Sequence, residues 1–231
     1  MQVVILAGGL GTRLGAVGAQ RPKALMPVLG RPFIAHVFDL LRSQGLARLL
    51  LLVGHHGEQI EREFGDGAAL GLELSYQYDG PRLLGTGGAL RAALGKLEPE
   101  FLVLYGDTFL DIDYRAVIAA FRTSGAPALM TVLRNEGRWD TSNVVFRDGK
   151  LLRYSKLDRT PEMDHIDYGL AALHRELIAE LPEGGQADLA DFYSRLVAEG
   201  RMVGFEVLQR FYEVGTPDGL VETERYLASK P

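Results

Sequence analysis

Short apolar runs alternate with amphipathic stretches along the first 134 residues. Val3-Val4-Ile5-Leu6 is a continuous apolar run closed by Gly8-Gly9, the pattern of a strand covered on both faces. Phe33, Val37, Leu40 and Leu41 then recur at helical spacing, with Gly45 as the stop. The same reading predicts strands at Leu49–Val53, Leu72–Tyr78, Phe101–Tyr105 and Leu129–Leu133, and helices at Ile60–Phe64, Gly87–Leu97 and Tyr114–Arg122. Strands of about five residues between helices imply βαβ units and a mostly parallel sheet. Ligands of such sheets sit at the carboxyl ends of the strands, where Gly8-Gly9 and Gly106-Asp107 fall.

Past Arg134 the rhythm changes. Asn143–Phe146 and Leu151–Tyr154 flank Arg147-Asp148-Gly149-Lys150 and predict a β-hairpin. A strand is expected at Ile166–Leu173, helices at Arg175–Leu181 and Asp188–Glu199, short strands at Val203–Val207 and Phe211–Val214, and a closing helix at Pro217–Ala228. No linker, repeat or low-complexity tract interrupts this. The expected fold class is α/β: a single Rossmann-like, three-layer domain over 1–231 with a mostly parallel mixed sheet.

Composition narrows the chemistry. The 231 residues hold 25 Lys and Arg against 30 Asp and Glu, a net charge of −5. That argues against nucleic-acid or membrane partners, because counterion release needs a basic surface. With no Cys, disulfides, thiolate catalysis and iron–sulfur clusters are excluded. The N-terminus lacks a basic region and a long apolar core, so no signal peptide is expected and the cytoplasm is the expected location. There are 28 glycines, well above the usual ~7%, and many fall beside predicted strand ends.

The first chemical motif runs from Leu6 to Leu14, followed by Pro22-Lys23. Glycines after a buried strand let the backbone approach a ligand and aim N–H groups at an anion. Arg13 adds a planar fork for phosphate oxygens and Lys23 a point charge. A plain glycine turn with solvated basic residues is the alternative. Leu14 breaks a dinucleotide fingerprint, and no Gly-Lys is followed by Ser or Thr, so there is no Walker A loop. His55 and His56 follow a strand but lack a third ligand at zinc spacing. Trp139, the sole tryptophan, either lines a pocket or packs a loop.

Gly8-Gly9-Leu10-Gly11-Thr12-Arg13 with Pro22-Lys23-Ala24-Leu25-Met26-Pro27-Val28 resembles the signature of the sugar-1-phosphate nucleotidyltransferases. Gly85-Thr86-Gly87-Gly88-Ala89, Tyr105-Gly106-Asp107 and Val214-Gly215-Thr216-Pro217 resemble further motifs of that family, in its order. The likeness extends from residue 2 to about residue 220. Among subfamilies it is most similar to short bacterial enzymes acting on heptose, mannose or N-acetylmuramate 1-phosphates. The chain ends without the left-handed β-helix of longer relatives, so no acyltransferase is expected.

The resemblance implies a nucleotide-binding half, 1–134, and a sugar-phosphate half, 135–231. Arg13 and Lys23 are the implied catalytic cations. The nucleotide site comprises Ala7, Gly8, Gly9, Gly11, Thr12, Arg13, Gln77, Gly85 and Thr86. Asn143, Lys156 and Asp167 address the sugar phosphate, and Asp107 and Glu213 bind Mg²⁺. Asp79 is a second choice beside Gln77 for base recognition, since a one-residue phase error swaps their faces. Several positions depart from the family pattern. Glu213 stands where an Asp is usual, Ser155 and Leu157 flank Lys156 in place of Glu and Pro, Asp167 fills an Asn slot, and Asn143 a Gly slot. These departures point to an unusual sugar.

The implied partners are a nucleoside triphosphate and a sugar 1-phosphate. Sugar, base and oligomeric state stay open. Two rivals stand beside this reading. One is a nucleotide-sugar-dependent glycosyltransferase using Asp111-Ile112-Asp113, and the other is a non-catalytic nucleotide-sugar sensor, suggested by Glu213.

Overall fold

The computed structural model describes residues 1–9 and 21–230. In chain order its elements are β1 (Gln2–Ala7), β2 (Pro27–Val28), β3 (Arg31–Pro32), α1 (Phe33–Ser43), β4 (Arg48–Val53), α2 (Gly57–Phe64), β5 (Glu73–Tyr78), α3 (Gly85–Ala92), β6 (Glu100–Tyr105) and β7 (Thr108–Phe109). They continue with α4 (Tyr114–Ser124), β8 (Ala128–Arg134), β9 (Val144–Arg147), β10 (Lys150–Tyr154), β11 (His165–His174), α5 (Arg175–Ile178), α6 (Leu189–Ala198), β12 (Met202–Val207), β13 (Tyr212–Glu213) and α7 (Pro217–Ala228). This is the α/β alternation that the apolar spacing predicts. None of the described helices is long and apolar enough to cross a membrane.

The chain packs as two compact units. The first gathers Met1–Leu83, Leu104–Asp111 and Phe211–Pro231, and the second Leu84–Val103 and Ile112–Arg210. In the first, β1, β4 and β5 run parallel, Val3 facing Leu49 and Leu49 facing Leu74. Val3, Val4 and Ile5 are wholly buried, as expected of a strand covered on both faces. Strand β5 instead alternates at its start, with Glu73 exposed, Leu74 buried and Ser75 exposed. One of its faces meets water.

In the second unit β12 runs parallel to β8, while β11 pairs antiparallel with β8 and β9, and β9 with β10. The β9–β10 hairpin forms as expected, with Asp148 and Gly149 at positive φ in its turn. The helix expected over Gly87–Leu97 differs in detail. It starts at Gly85, ends at Ala92 and tightens into a 3₁₀ turn over Leu94–Lys96. There the Ala93 N–H is shared between Ala89 and Leu90 carbonyls, both at 3.1 Å, the bifurcation typical of a fraying helix end. Helix α4 is capped by Asp113, whose carboxylate accepts from the Arg115 and Ala116 N–H groups, and it stops at Gly125 with φ 64°.

Candidate active site

In the first unit β1 ends at Ala7 and Gly8 follows it. A Cβ on Gly8 would meet the Gly54 nitrogen at 3.3 Å and Asp79 Oδ2 at 3.6 Å, and one on Gly54 would meet the Gly8 carbonyl oxygen at 2.8 Å. Two glycines at neighbouring strand ends thus let the backbones close up. Gly106 repeats the device. Its N–H donates to the Leu6 carbonyl at 2.9 Å, and a Cβ there would lie 3.2 Å from Ala7 Cβ, Ile5 Cγ2 and the Leu6 oxygen. The next residue, Asp107, is therefore held beside the end of β1.

Lys23 reaches Asp107 from a 3₁₀ turn spanning Lys23–Leu25. Its Nζ donates to Asp107 Oδ2 at 2.9 Å, and the two side chains are only 14% and 25% exposed. The Asp107 backbone is also tied to the segment that carries the second predicted metal residue. The Val214 N–H donates to the Asp107 carbonyl at 2.9 Å, and β13 pairs with β7 so that Glu213 faces Thr108. Glu213 is anchored in turn by Thr223, whose hydroxyl donates to its carbonyl at 2.9 Å. Helix α7 follows, with Thr216 accepting from the Gly219 N–H and Pro217 in the first turn. The structure thus brings together Ala7, Gly8, Lys23, Asp107 and Glu213, while Gly9 is exposed. Gly11, Thr12 and Arg13 lie outside the described residues.

Gln77 and Asp79 differ because β5 ends between them, at Tyr78. Gln77 sits within β5 opposite Leu52, and its side-chain amide donates to the Tyr78 carbonyl at 3.1 Å. Asp79 follows the strand, its N–H held by the Val53 carbonyl at 3.1 Å and its carboxylate beside Gly8. The Gly8–Gly54 approach and the placing of Asp79 were not read from the sequence. The signal available was Gly54 itself, closing an apolar strand as Gly8 does.

The Asp111-Ile112-Asp113 letters take other work. Asp113 is the cap of α4. Asp111 accepts from Tyr226 and pairs with Lys230. Burial pushes the Asp111 carboxyl upward, but the bonds from Lys230 and Tyr226 outweigh it and hold the pKa below its ordinary value.

In the second unit, Gly85 adopts φ 71°, and a Cβ there would meet the Ala187 carbonyl oxygen at 2.6 Å. That oxygen accepts from the Gly87 and Gly88 N–H groups at 2.8 and 3.2 Å. The Thr86 hydroxyl donates to Asp188 Oδ1 at 3.1 Å and accepts from the Leu189 N–H at 2.9 Å. The glycine-rich start of α3 is accordingly fitted against the backbone leading into α6.

Asn143, Lys156 and Asp167 converge in the same unit. The Asp167 N–H donates to Asn143 Oδ1 at 2.9 Å, Tyr154 donates to Asp167 Oδ2 at 3.2 Å, and the Gly169 N–H donates to Oδ1 at 3.0 Å. Burial raises the Asp167 pKa above its ordinary value, opposed by the Gly169 N–H, the Lys156 charge and the Tyr154 hydroxyl. Ser155, unusual beside Lys156, builds the local turn: its hydroxyl accepts from the Leu157 and Asp158 N–H groups at 3.3 and 2.9 Å.

Known proteins place this geometry in a family. The chain is 28% identical over 233 residues to a D-glycero-alpha-D-manno-heptose 1-phosphate guanylyltransferase of Aneurinibacillus thermoaerophilus, covering 98% of both chains. It is 26% identical over 226 residues to a mannose-1-phosphate guanylyltransferase of Mycobacterium tuberculosis, covering 96% of this chain and 63% of the other. A UTP–glucose-1-phosphate uridylyltransferase of Synechocystis is 29% identical, with 87% and 56% covered. The chain thus spans between half and two thirds of the length of several relatives it matches. Among solved structures, a Bacillus anthracis chain crystallised with sucrose and described as a glucose-1-phosphate thymidylyltransferase shares the fold with a TM-score of 0.87. It is 19% identical, with 100% of this chain and 97% of that one covered. HddC from Yersinia pseudotuberculosis, solved with GMP-PN, gives a TM-score of 0.79 at 23% identity over 98% and 99% of the two chains. The α/β fold with its mostly parallel mixed sheet is common to them. The MobA-like NTP transferase domain family matches residues 3–196, and the chain belongs to it.

Proposed function

We propose that this protein transfers a nucleotidyl group from a nucleoside triphosphate to a sugar 1-phosphate, forming a nucleotide-sugar and pyrophosphate in the cytoplasm. The observation that carries the reading is the Lys23–Asp107 contact of 2.9 Å, close to the glycines that follow β1. A cation for phosphate and a carboxylate for a metal stand together at the carboxyl end of a parallel strand, where α/β folds bind ligands.

In this mechanism a sugar-phosphate oxygen attacks the α-phosphorus in line, the new P–O bond forms, and pyrophosphate leaves with the electrons of the broken bond. A phosphate monoester with a second pKa near 6 is already an anion at neutral pH, so the step needs no general base. Catalysis reduces to alignment and charge neutralisation. The backbone of Ala7, Gly8, Gly9 and Gly11 and the Thr12 hydroxyl seat the triphosphate, and Arg13 and Lys23 neutralise it. Gln77, Gly85 and Thr86 complete the nucleotide side in the 1–134 half. In the 135–231 half Lys156 neutralises the sugar phosphate, and Asn143 and Asp167 meet sugar hydroxyls.

The residues present fit magnesium. Asp107 and Glu213 are hard oxygen donors, Asp107 just before β7 and Glu213 on β13, which pairs with it, and among the described residues no three acidic or His side chains form a closed cage. An ion that keeps its waters and takes phosphate oxygens needs no more than one or two carboxylates. Bound there, Mg²⁺ would screen the triphosphate and polarise the phosphate under attack. The names of the relatives above make GTP with mannose or heptose 1-phosphate the first combination to try.

The test is pyrophosphate release over a matrix of GTP, UTP, CTP, dTTP and ATP against several sugar 1-phosphates, with and without Mg²⁺. Magnesium-dependent release with one pair supports the reading. No release with any pair, alongside hydrolysis of a nucleotide-sugar donor, would favour the glycosyltransferase alternative instead.

A further inference from the structure

One side chain of the 135–231 half is built into position without a role in the transfer described above. Trp139 is 39% exposed, although the loop carrying it is tightly organised. Asn135, completely buried, holds that loop with both ends of its amide. Its Oδ1 accepts from the Trp139 and Asp140 N–H groups at 3.0 and 3.4 Å, and its Nδ2 donates to the Asp140 carbonyl and to Ser142 Oγ. The Asn135 carbonyl takes the Arg138 N–H at 3.0 Å, and its own N–H donates to the Asp164 carbonyl at 2.8 Å. The Arg210 guanidinium lies 4.1 Å from the indole centroid, covering part of the ring with charge.

A circuit of contacts connects this plate to the sugar-phosphate residues. Ser142, bonded to Asn135, precedes Asn143. Asn143 holds the Asp167 N–H, and the neighbouring Tyr168 donates to the Arg210 carbonyl at 3.4 Å. An exposed indole forgoes part of the stabilisation that burial would give it. Fixing its backbone with a buried amide and bracing its ring with a guanidinium keeps a flat apolar surface available to an outside group. Such a surface accepts the C–H face of a pyranose ring, whose hydroxyls point outward toward polar partners of the Asn143 and Asp167 kind. A few placed polar groups beside an apolar wall is the usual make-up of a small-molecule site.

We infer that Trp139, braced by Arg210, is the stacking platform for the sugar ring and determines which sugar 1-phosphate is accepted. This rests on the proposed transferase reading for its substrate class. Because Trp139 is the sole tryptophan, its emission reports the site directly. Mannose 1-phosphate and glucose 1-phosphate are titrated into the unmodified protein, with and without GTP and with inorganic phosphate as control. A saturable change with a sugar phosphate but not with phosphate supports the platform.

In steady state, Trp139→Leu is expected to raise the sugar-phosphate KM at least 10-fold with the nucleotide KM within 2-fold of normal, while Trp139→Phe restores most of the loss. Arg210→Gln is expected to give an intermediate rise. An unchanged sugar KM in Trp139→Leu overturns the platform and leaves the transferase intact. A saturable emission change in a protein that transfers to no sugar overturns the transferase and leaves the platform. Matching losses in the sugar and nucleotide KM values would reduce Trp139 to a structural residue, and that too overturns the inference.

Discussion

Lys23 and Asp107, 84 residues apart in sequence, meet at 2.9 Å with little of either side chain exposed. The contact neutralises two groups that the proposed reaction uses separately, one on phosphate and one on metal. On the proposed roles, a triphosphate that drew Lys23 away would free the carboxylate, which would couple nucleotide and metal binding through one ion pair. Removing one partner leaves the other charged and poorly solvated. Lys23→Met is therefore expected to lower pyrophosphate release on the order of 10²-fold or more, the size typical of losing one charge-stabilising group from a water-poor site. The same substitution should strengthen Mn²⁺ binding to the nucleotide-free protein in a direct titration, since the competing ammonium is gone. A variant that kept over half of kcat would contradict the assigned role.

Asp107 and Glu213 are not equivalent. Asp107 is fixed by Gly106 against β1 and takes the Val214 N–H on its carbonyl, whereas Glu213 lies one methylene further out on a two-residue strand. Asp107→Asn is expected to abolish measurable transfer. Glu213→Gln should leave transfer detectable and raise the Mg²⁺ concentration needed for half-maximal rate by roughly 10-fold, about 1.4 kcal/mol. Magnesium titrations of both variants decide it, with thermal unfolding confirming that each is folded.

Gly85 is required by geometry whatever it binds. At φ 71° an L-residue is strained by roughly 1–2 kcal/mol, and its Cβ would sit 2.6 Å from the Ala187 carbonyl oxygen, a backbone atom that cannot swing aside. Gly85→Ala is expected to destabilise by about 2 kcal/mol or more, lowering Tm by at least 4 °C or so for a chain of this size. Gly95→Ala is the control. Nothing lies within 4 Å of its Cβ position, and the substitution should be neutral or add about 0.4–1 kcal/mol.

Much of the fold was legible because burial leaves a strong mark. Strand β1 reads as a continuous apolar run since both faces are covered, and β5 betrays its wet face by alternating Glu73, Leu74 and Ser75. The β7–β13 pair was only partly legible. Two-residue strands carry no periodicity, and their register is set by the tertiary bond from Val214 to the Asp107 carbonyl. Likewise the end of α3 depends on a shared hydrogen bond at Ala93, not on any stop residue in the pattern. At the site, spacing alone offered a glycine turn beside two basic residues, and the resemblance singled out Lys23, Asp107 and Glu213. It said nothing of Gly54, which meets Gly8 only through the fold, or of the turn at Ser155, where a hydroxyl in place of the usual Glu accepts from the Leu157 and Asp158 N–H groups.

Asp167 offers the sharpest pH test. Burial raises its carboxyl pKa in the folded protein, while the unfolded chain keeps a value near 3.9. The folded state therefore binds the proton more tightly, and stability is greatest below the unfolded value and falls as pH climbs through the raised one. Above the raised value the buried carboxylate opposes folding. Asp167→Asn removes that penalty and keeps the local bonds: its Oδ1 still accepts from the Gly169 N–H, and the Tyr154 hydroxyl accepts from Nδ2 where it formerly donated to Oδ2. The variant is expected to melt higher than the parent at pH 7–8, by about 2–4 °C for each kcal/mol recovered, with the gap closing as pH approaches 4. Its transfer rate should fall, because the carboxylate proposed to meet sugar hydroxyls has become an amide. Melting curves across pH 4–8 read the first effect and pyrophosphate release the second. A gap that widened toward acid would show that Asp167 stabilises the fold as an anion and would reverse the sign assigned to its burial.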